Sequence, residues 1–358
     1  MDKRTVLFDG YWLASGPPSG RNVVQSLIEG WVEAFPGDDV RVAVPFKPAT
    51  HFQPAVDLVT VPSRIQNHGA WVMTALPRVM GSADLILTQN FSPRIARRSR
   101  AVVATFVHDA IFRQHPEWFT AAERLYLGAA ALTLRWSDVV LASSVAEADR
   151  VNRCLRFARG KVTAVGLGVP VGLTQSTAQT PARCDENQDF VLAVGRLNIR
   201  KNLARLIEAF LNNESLRESS LVVVGAANGV SDVTAQGYTD PRVRFIGSVS
   251  DAELRWLYEH CQAFAFPSLD EGFGLPLMEA AYFGARSVAS AIPPFIELGT
   301  AERLFDPTSV PSIGNALSQV TASPRMRRAA QTGTDPTWLR VATRARAAAD
   351  RKLELSNA

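Results

Sequence analysis

Short apolar runs alternate with stretches of helical periodicity along most of this chain. In the first half the runs are Thr5–Phe8, Val40–Val44, Leu58–Val61, Leu85–Leu87, Val102–Val107 and Val139–Ala142. Their nearly continuous apolar character is that of strands buried on both faces of a parallel sheet. Between them, Asn22–Phe35 places Val23, Leu27, Ile28, Trp31 and Val32 at helical spacing, and His68–Met80, Ala121–Trp136 and Val145–Cys154 also read as helices. Strands separated by helical segments predict a parallel sheet flanked by helices. From Val162 to Gln188 the text shifts to Gly, Pro, Thr and Gln without a sustained period, which reads as a strand end followed by a linker. The expected domain boundary is therefore near residue 183. The second half repeats the alternation, with strands at Phe190–Val194, Leu221–Gly225 and Val243–Gly247 and helices at Asn202–Leu211, Asp251–His260 and Ser312–Val320. Thr337–Leu355 closes the chain as an Ala/Arg-rich helix carrying Trp338.

The stretch Ala263–Ser290, AFAFPSLDEGFGLPLMEAAYFGARSVAS, concentrates the candidate chemistry. Its pattern predicts a buried strand (Ala263–Pro267), an acidic glycine loop (Ser268–Gly274), a helix and a second strand (Ser287–Ser290). Pro276 suits the first helical turn, where its missing N–H goes unmissed. Gly284 suits the left-handed residue after the helix. Glu271 lies in the loop and Glu279, eight residues on, about one turn into the helix. Both can face the crevice at the C-terminal ends of the strands, where open α/β sheets bind ligands. Helix-start N–H groups favour phosphate, while the acids suit hydroxyl groups. A ligand with both, a nucleotide sugar, fits. From spacing alone a second reading stays open, with Glu271 capping the helix and Glu279 a solvated acid.

Composition changes this picture little. At 358 residues the chain is long enough for two cores, and 47% hydrophobic with 20% charged residues is ordinary for a globular protein. No run approaches the about 18 apolar residues of a transmembrane helix, and MDKRTVLFDG does not read as a signal peptide. Cys154, Cys184 and Cys261, odd in number and far apart, speak against a disulfide framework and suit a reducing cytoplasm. Charge is uneven: residues 1–183 hold 20 Lys and Arg against 14 Asp and Glu, or +6, and residues 184–358 hold 18 against 20, or −2. The cluster Arg94, Arg97, Arg98 and Arg100 suits either peripheral contact with an anionic membrane, at the inner face, or a solubilising surface. No nucleic-acid-binding signature accompanies it.

Glu271-Gly-Phe-Gly-Leu-Pro-Leu-Met-Glu279, followed by Gly284 and an apolar strand, resembles the E-x7-E signature of retaining GT-B glycosyltransferases of family GT4. Gly195-Arg196-Leu197-Asn198-Ile199-Arg200-Lys201 resembles that family's G-R-x(4)-K element, and VATFVHD resembles its strand-end His. The resemblance implies an α/β fold of two Rossmann-like domains facing across a cleft (GT-B). The first, 1–183, would be acceptor-side and the second, 184–336, would bind nucleotide sugar. A helix, 337–358, would cross back to the first.

The resemblance also distributes roles. Arg196 and Lys201 would bind the donor diphosphate, Arg200 being set aside, and Glu271 would hold hexose hydroxyls. Glu279 would meet the ribose and the backbone at Phe273, Gly274 and Leu275 the sugar. The nucleobase would meet backbone around Gly247 and Val249. His108 would touch the transferred sugar, with Asp109 orienting it or contacting the acceptor; His115 is a weaker candidate. Gly20 and Arg21, in the Gly16–Arg21 loop, would lie beneath the donor phosphates or admit the acceptor. That loop departs from the family's Gly-Gly pattern, and an ordinary βα loop is the alternative.

No Asp-x-Asp pair of the metal-dependent GT-A kind appears, so no metal or other cofactor is expected beyond the nucleotide-diphosphate sugar as co-substrate. Neither G-x-G-x-x-G nor G-x-S-x-G is present. The resulting reading is a hexosyltransferase that moves a sugar, by family analogy from GDP-mannose, to a glycan or lipid-linked acceptor in polysaccharide assembly. A GT-B-fold nucleotide-sugar epimerase and a non-catalytic sugar-nucleotide-binding subunit remain as alternatives.

Overall fold

A computed structural model describes residues 3–46, 56–63, 65–94, 101–186, 188–226, 237–322 and 337–357. Arg97, Arg98 and Arg100 of the basic cluster lie outside them. The chain divides into two compact units: residues 1–114, 121–170 and 337–358 form one, and residues 115–120 and 171–336 the other.

The first unit holds β1 (Thr5–Asp9), α1 (Tyr11–Ser15), α2 (Pro18–Ala34), β2 (Asp39–Val44), β3 (Asp57–Thr60), α3 (His68–Thr74), β4 (Leu85–Gln89), β5 (Val102–Val107), α4 (Ala121–Thr133), β6 (Val139–Ala142), α5 (Val145–Cys154) and β7 (Val162–Ala164). Its sheet runs β3-β2-β1-β4-β5-β6-β7, and every pairing is parallel. β4 and β5 are buried throughout, the burial that their unbroken apolar runs predict. Their hydroxyls are satisfied inside the core: Thr88 Oγ1 lies 3.0 Å from Thr105 Oγ1, which also meets Oγ of Ser92, just after β4, at 2.8 Å.

The C-terminal helix, Trp338–Asn357, belongs to this unit and packs on α2. Trp338, 3% exposed, donates its indole N–H to the Val169 carbonyl at 2.9 Å. Arg346 Nη1 meets Asp38 Oδ2 at 2.5 Å, and that oxygen also accepts Trp31 Nε1 at 3.1 Å. One buried carboxylate thus ties the last helix to α2 and to the turn before β2.

The second unit holds α6 (Val171–Gln175), β8 (Phe190–Val194), α7 (Leu203–Leu211), β9 (Ser220–Val224), β10 (Val243–Gly247), α8 (Asp251–His260), β11 (Ala263–Phe266), α9 (Leu275–Tyr282), β12 (Ser287–Ser290), α10 (Pro293–Leu298), β13 (Arg303–Phe305) and α11 (Val310–Thr321). Its parallel sheet runs β10-β9-β8-β11-β12-β13. α7 turns Leu203, Leu206, Ile207 and Phe210 onto that sheet. Each fully buried side chain of this size stabilises by roughly 1.5–3 kcal/mol.

Two sequence expectations differ from the structure. The main segment of the second unit begins at Val171, before the boundary expected near 183. The stretch read as linker is anchored there: Gln179 N donates to Ala252 O at 3.0 Å, and Arg255 Nη1 to Ser176 O at 2.5 Å. Gly16–Arg21 is also no simple loop, because Pro17 takes an extended conformation and α2 starts at Pro18, so Gly20 and Arg21 are helical.

Close approach of α2 to the C-terminal helix depends on Gly30, where a Cβ would stand 2.5 Å from the Trp338 carbonyl carbon. Gly30→Val is expected to cost about 1–3 kcal/mol through overpacking against backbone. Urea denaturation measures it; an unshifted midpoint would show that the helices separate without loss.

Candidate functional site

Both sheets stay parallel but reverse their strand order beside the first strand: β4 lies next to β1 on the side away from β2, and β11 next to β8 on the side away from β9. Such switch points open a crevice at the C-terminal strand ends. Lys201 and Glu271, two of the expected residues of the second unit, meet at its switch point. After β8, Gly195 (φ 153°) leads into a 3₁₀ turn, Ile199–Lys201, capped by the Asn198 side chain. After β11 comes the acidic loop Ser268–Gly274.

The two loops are bound by main-chain and amide contacts. Leu269 N donates to Arg200 O at 2.8 Å. Asn202, in the left-handed conformation at φ 55°, donates its side-chain amide to the carbonyls of Pro267 at 3.0 Å and Pro307 at 2.7 Å. Lys201 Nζ is thereby brought onto Glu271 Oε1 in a short ion pair, and Arg200 Nη1 onto Oε2 at 3.2 Å. Ser268 Oγ donates to Oε1 at 2.8 Å, and Asp270 Oδ1 accepts the Glu271 amide at 2.8 Å.

Glu271 is buried, which by itself raises a carboxyl pKa; Arg200 and Lys201 outweigh that and bring it down to about 2. Burial lowers the Lys201 pKa against the pull of Glu271. Lys201 Nζ also stands 4.6 Å from the centre of the Phe266 ring. Arg196 is exposed and near enough to act on Lys201 electrostatically. Arg200, set aside in the sequence reading, is therefore a direct partner of Glu271, because the 3₁₀ turn places consecutive cations on one carboxylate.

α9 begins as its sequence predicts. Gly274 precedes it at φ 108°, where any Cβ would stand 2.6 Å from the Phe295 ring, Pro276 lies in the first turn, and Gly284 follows at φ 75°. Glu279 sits on the buried face of this helix and accepts the Tyr258 hydroxyl at 2.8 Å. Burial, moderated by that bond and aided by Asp251, pushes its pKa up to about 7. Glu271 and Glu279 thus occupy separate networks with opposite perturbations. Phe273 and Leu275 are half-buried at the helix start; Gly247 (φ 76°) and Val249, also half-buried, follow β10.

In the first unit, His108 follows β5 and places Nε2 2.9 Å from Gln89 Oε1 at the end of β4. Trp12 and Phe106 flank its ring at 4.8 and 5.1 Å between centroids. Asp109 is half-buried. Gly20 lies under Trp12, where a Cβ would meet the indole at 2.6 Å, and Arg21 is half-buried in the first turn of α2. His115 stacks on Trp118 (centroids 3.9 Å apart) beside Glu117, in a segment of the second unit.

The sequence reading missed Asp9 and His68, a buried pair with His68 Nε2 2.7 Å from Asp9 Oδ2. Tyr126 OH lies 3.3 Å from His68 Nδ1. Asp9 ends β1 at the switch point, which was a signal available in the sequence; His68 and Tyr126 carried none. Among the described residues, no three His, Cys, Asp or Glu side chains form a group that could hold a metal ion. No helix among them is long and apolar enough to cross a membrane.

Residues 176–334 match the model of a family described as Glycosyl transferases group 1. The chain is 32% identical over 139 residues to O-antigen chain mannosyltransferase B of Escherichia coli, covering 37% of this chain and 36% of that protein. It is 26% identical over 216 residues to GDP-mannose:cellobiosyl-diphosphopolyprenol alpha-mannosyltransferase of Komagataeibacter xylinus, covering 57% and 51%. The matches thus span about a third to a half of these relatives. Sucrose-phosphate synthase from Thermosynechococcus elongatus superposes with a TM-score of 0.66 at 18% identity, over 99% of this chain and 98% of that one, a likeness of fold.

The ion pairs predict an acid dependence. The folded Glu271 pKa of about 2 lies below the ordinary 4.5, so its stabilisation is complete above about pH 5 and is lost as pH falls towards 2. Between about pH 5.5 and 3.5, the stability gap between the native protein and Glu271→Gln should narrow by about 1 kcal/mol in urea titrations. A gap constant over that range would mean that Glu271 is not held as a carboxylate.

Proposed function

We propose, from a fold like that of GT-B proteins and the match of residues 176–334 to the glycosyl transferases group 1 model, that this chain is a retaining hexosyltransferase. It moves a sugar from a nucleotide diphosphate to a hydroxyl of a glycan or lipid-linked acceptor. The observation carrying this reading is the cluster of Lys201 and Arg200 on Glu271 at the C-terminal strand ends of the second unit, with Arg196 near.

Cleaving the bond to the sugar leaves negative charge on the diphosphate. Lys201, Arg200 and Arg196 supply fixed positive charge for it, and the start of α9 adds the positive end of a helix dipole. In the free protein Glu271 pairs with both Arg200 and Lys201, and the cluster keeps a net positive charge. Diphosphate oxygens compete for those cations, which frees the carboxylate to accept hydrogen bonds from sugar hydroxyls. Glu279, with Tyr258 beside it, is assigned to the ribose. Gly247, Val249 and the Phe273–Leu275 backbone frame the rest of the donor. His108, Asp109, Gly20 and Arg21 belong to the unit assigned to the acceptor side.

The donor proposed is GDP-mannose, in keeping with the mannosyl transfer for which the two relatives are named. Polysaccharide assembly on the cytoplasmic face is the setting of that reading. Exposed Arg94, and Leu125 at 77% exposure on α4, suit peripheral contact with an anionic membrane; flotation with anionic vesicles but not zwitterionic ones checks it.

Nucleotide release from GDP-, UDP- and dTDP-sugars, with and without acceptor, tests the function. Transfer should require acceptor. Conversion of the donor alone would indicate an epimerase, and binding without release a non-catalytic subunit. Glu271→Ala and Lys201→Ala should each lower turnover about a hundredfold or more at saturating donor, and near-native turnover in either would remove the site assignment. Because cationic side chains supply the charge, native activity should survive excess EDTA; full loss restored by Mg²⁺ would contradict that.

A further inference from the structure

Gln89 is 1% exposed at the end of β4, where it can do little except serve its neighbours. Its Oε1 faces His108 Nε2 at 2.9 Å, whereas its own Nε2 has no hydrogen-bond partner. In this orientation the amide presents its acceptor to the ring; the reverse orientation would present its donor and put the ring proton on Nδ1. The bond to Oε1 requires the proton of the ring on Nε2. Nδ1 then carries a lone pair and has no partner among the described residues. The His108 backbone is fixed as well, its N–H donating at 3.2 Å to the side chain of Asn90, itself left-handed at φ 57°.

We propose that Gln89 is a positioning residue that locks His108 in the Nε2–H tautomer, so that Nδ1 accepts a hydrogen bond from a substrate hydroxyl. The role in transfer rests on the glycosyltransferase reading; the tautomer does not. The surroundings agree with it. Trp12 and Phe106 pack on the ring. Desolvation first, and then His68, lowers the His108 pKa to about 3, leaving the imidazole neutral across physiological pH. The titratable groups around it are His68 from α3, whose partners are Asp9 from β1 and Tyr126 from α4, and Asp109 on its own segment.

Two variants separate tautomer control from packing. Gln89→Leu keeps the volume but removes the acceptor, and is expected to lower kcat about tenfold at every pH with little change in donor KM. Gln89→Glu restores an acceptor when ionised but stabilises the imidazolium. It should recover near-native kcat at pH 8.5 and lose it towards pH 6, whereas the native enzyme stays flat. Nitrogen-15 NMR of the substrate-free protein gives a readout independent of turnover, with protonated Nε2 and bare Nδ1 from pH 5 to 8. A proton on Nδ1, or titration of His108 near its ordinary 6.5, overturns the tautomer assignment. Native kcat in Gln89→Leu, a Gln89→Glu profile coincident with native, or full activity in His108→Ala overturns its role in transfer. Absence of any sugar transfer by the native protein would sink the functional reading alone and leave the NMR result to stand or fall separately.

Discussion

Glu271 is a carboxylate taken out of water, and the second unit is arranged so that this is tolerable. Burial alone favours its neutral form, and only cations delivered from another loop reverse the preference. Delivery is a matter of backbone: the 3₁₀ turn aims Arg200 and Lys201, Asn202 accepts a left-handed conformation, and its amide ties that turn to the loop after β11. Removing Glu271 would leave two buried or half-buried cations without this partner. The arrangement is a poor device for stability alone, since a well-packed apolar cluster of the same volume serves as well. It does hold two cations at a strand end, which is what the proposed binding of a donor diphosphate requires.

The same topology handles carboxyl chemistry differently a few residues away. Glu279 has a hydroxyl for a partner and, among the described residues, no paired cation, and its proton affinity rises where that of Glu271 falls. Two glutamates of one motif are therefore separated in proton affinity by environment, one held as an anion and the other able to carry a proton near neutrality. The first unit places His108 in a third environment, between aromatic rings and an amide, where the imidazole stays neutral.

The glycines of the motif show how far local sequence can reach. Gly274 and Gly284 take positive φ because a helix start beneath a ring and a left-handed helix stop permit little else. Such requirements are local, and they are legible wherever they occur. The stretch after Val162 was illegible for the opposite reason: its hold on α8 comes from Arg255 and main-chain contacts remote in sequence. The start of α2 was misplaced because Pro17 and Pro18 read as loop residues, although one ends an extended segment and the other opens a helix.

By itself the sequence determined the alternation of strand and helix, the doubling of the α/β pattern and the strand–loop–helix unit bearing Glu271 and Glu279, since these follow from periodicities and turn residues a few positions apart. Lys201, Arg196 and His108 were marked by resemblance to family motifs, their place near strand ends alone leaving them open. Only tertiary structure decided that Arg200 joins Lys201 on Glu271, that Tyr258 rather than a cation meets Glu279, and that Asp9, His68 and Gln89 gather near His108. Those partners come from segments tens of residues apart, and parallel strand order, which no local pattern encodes, is what brings their ends together.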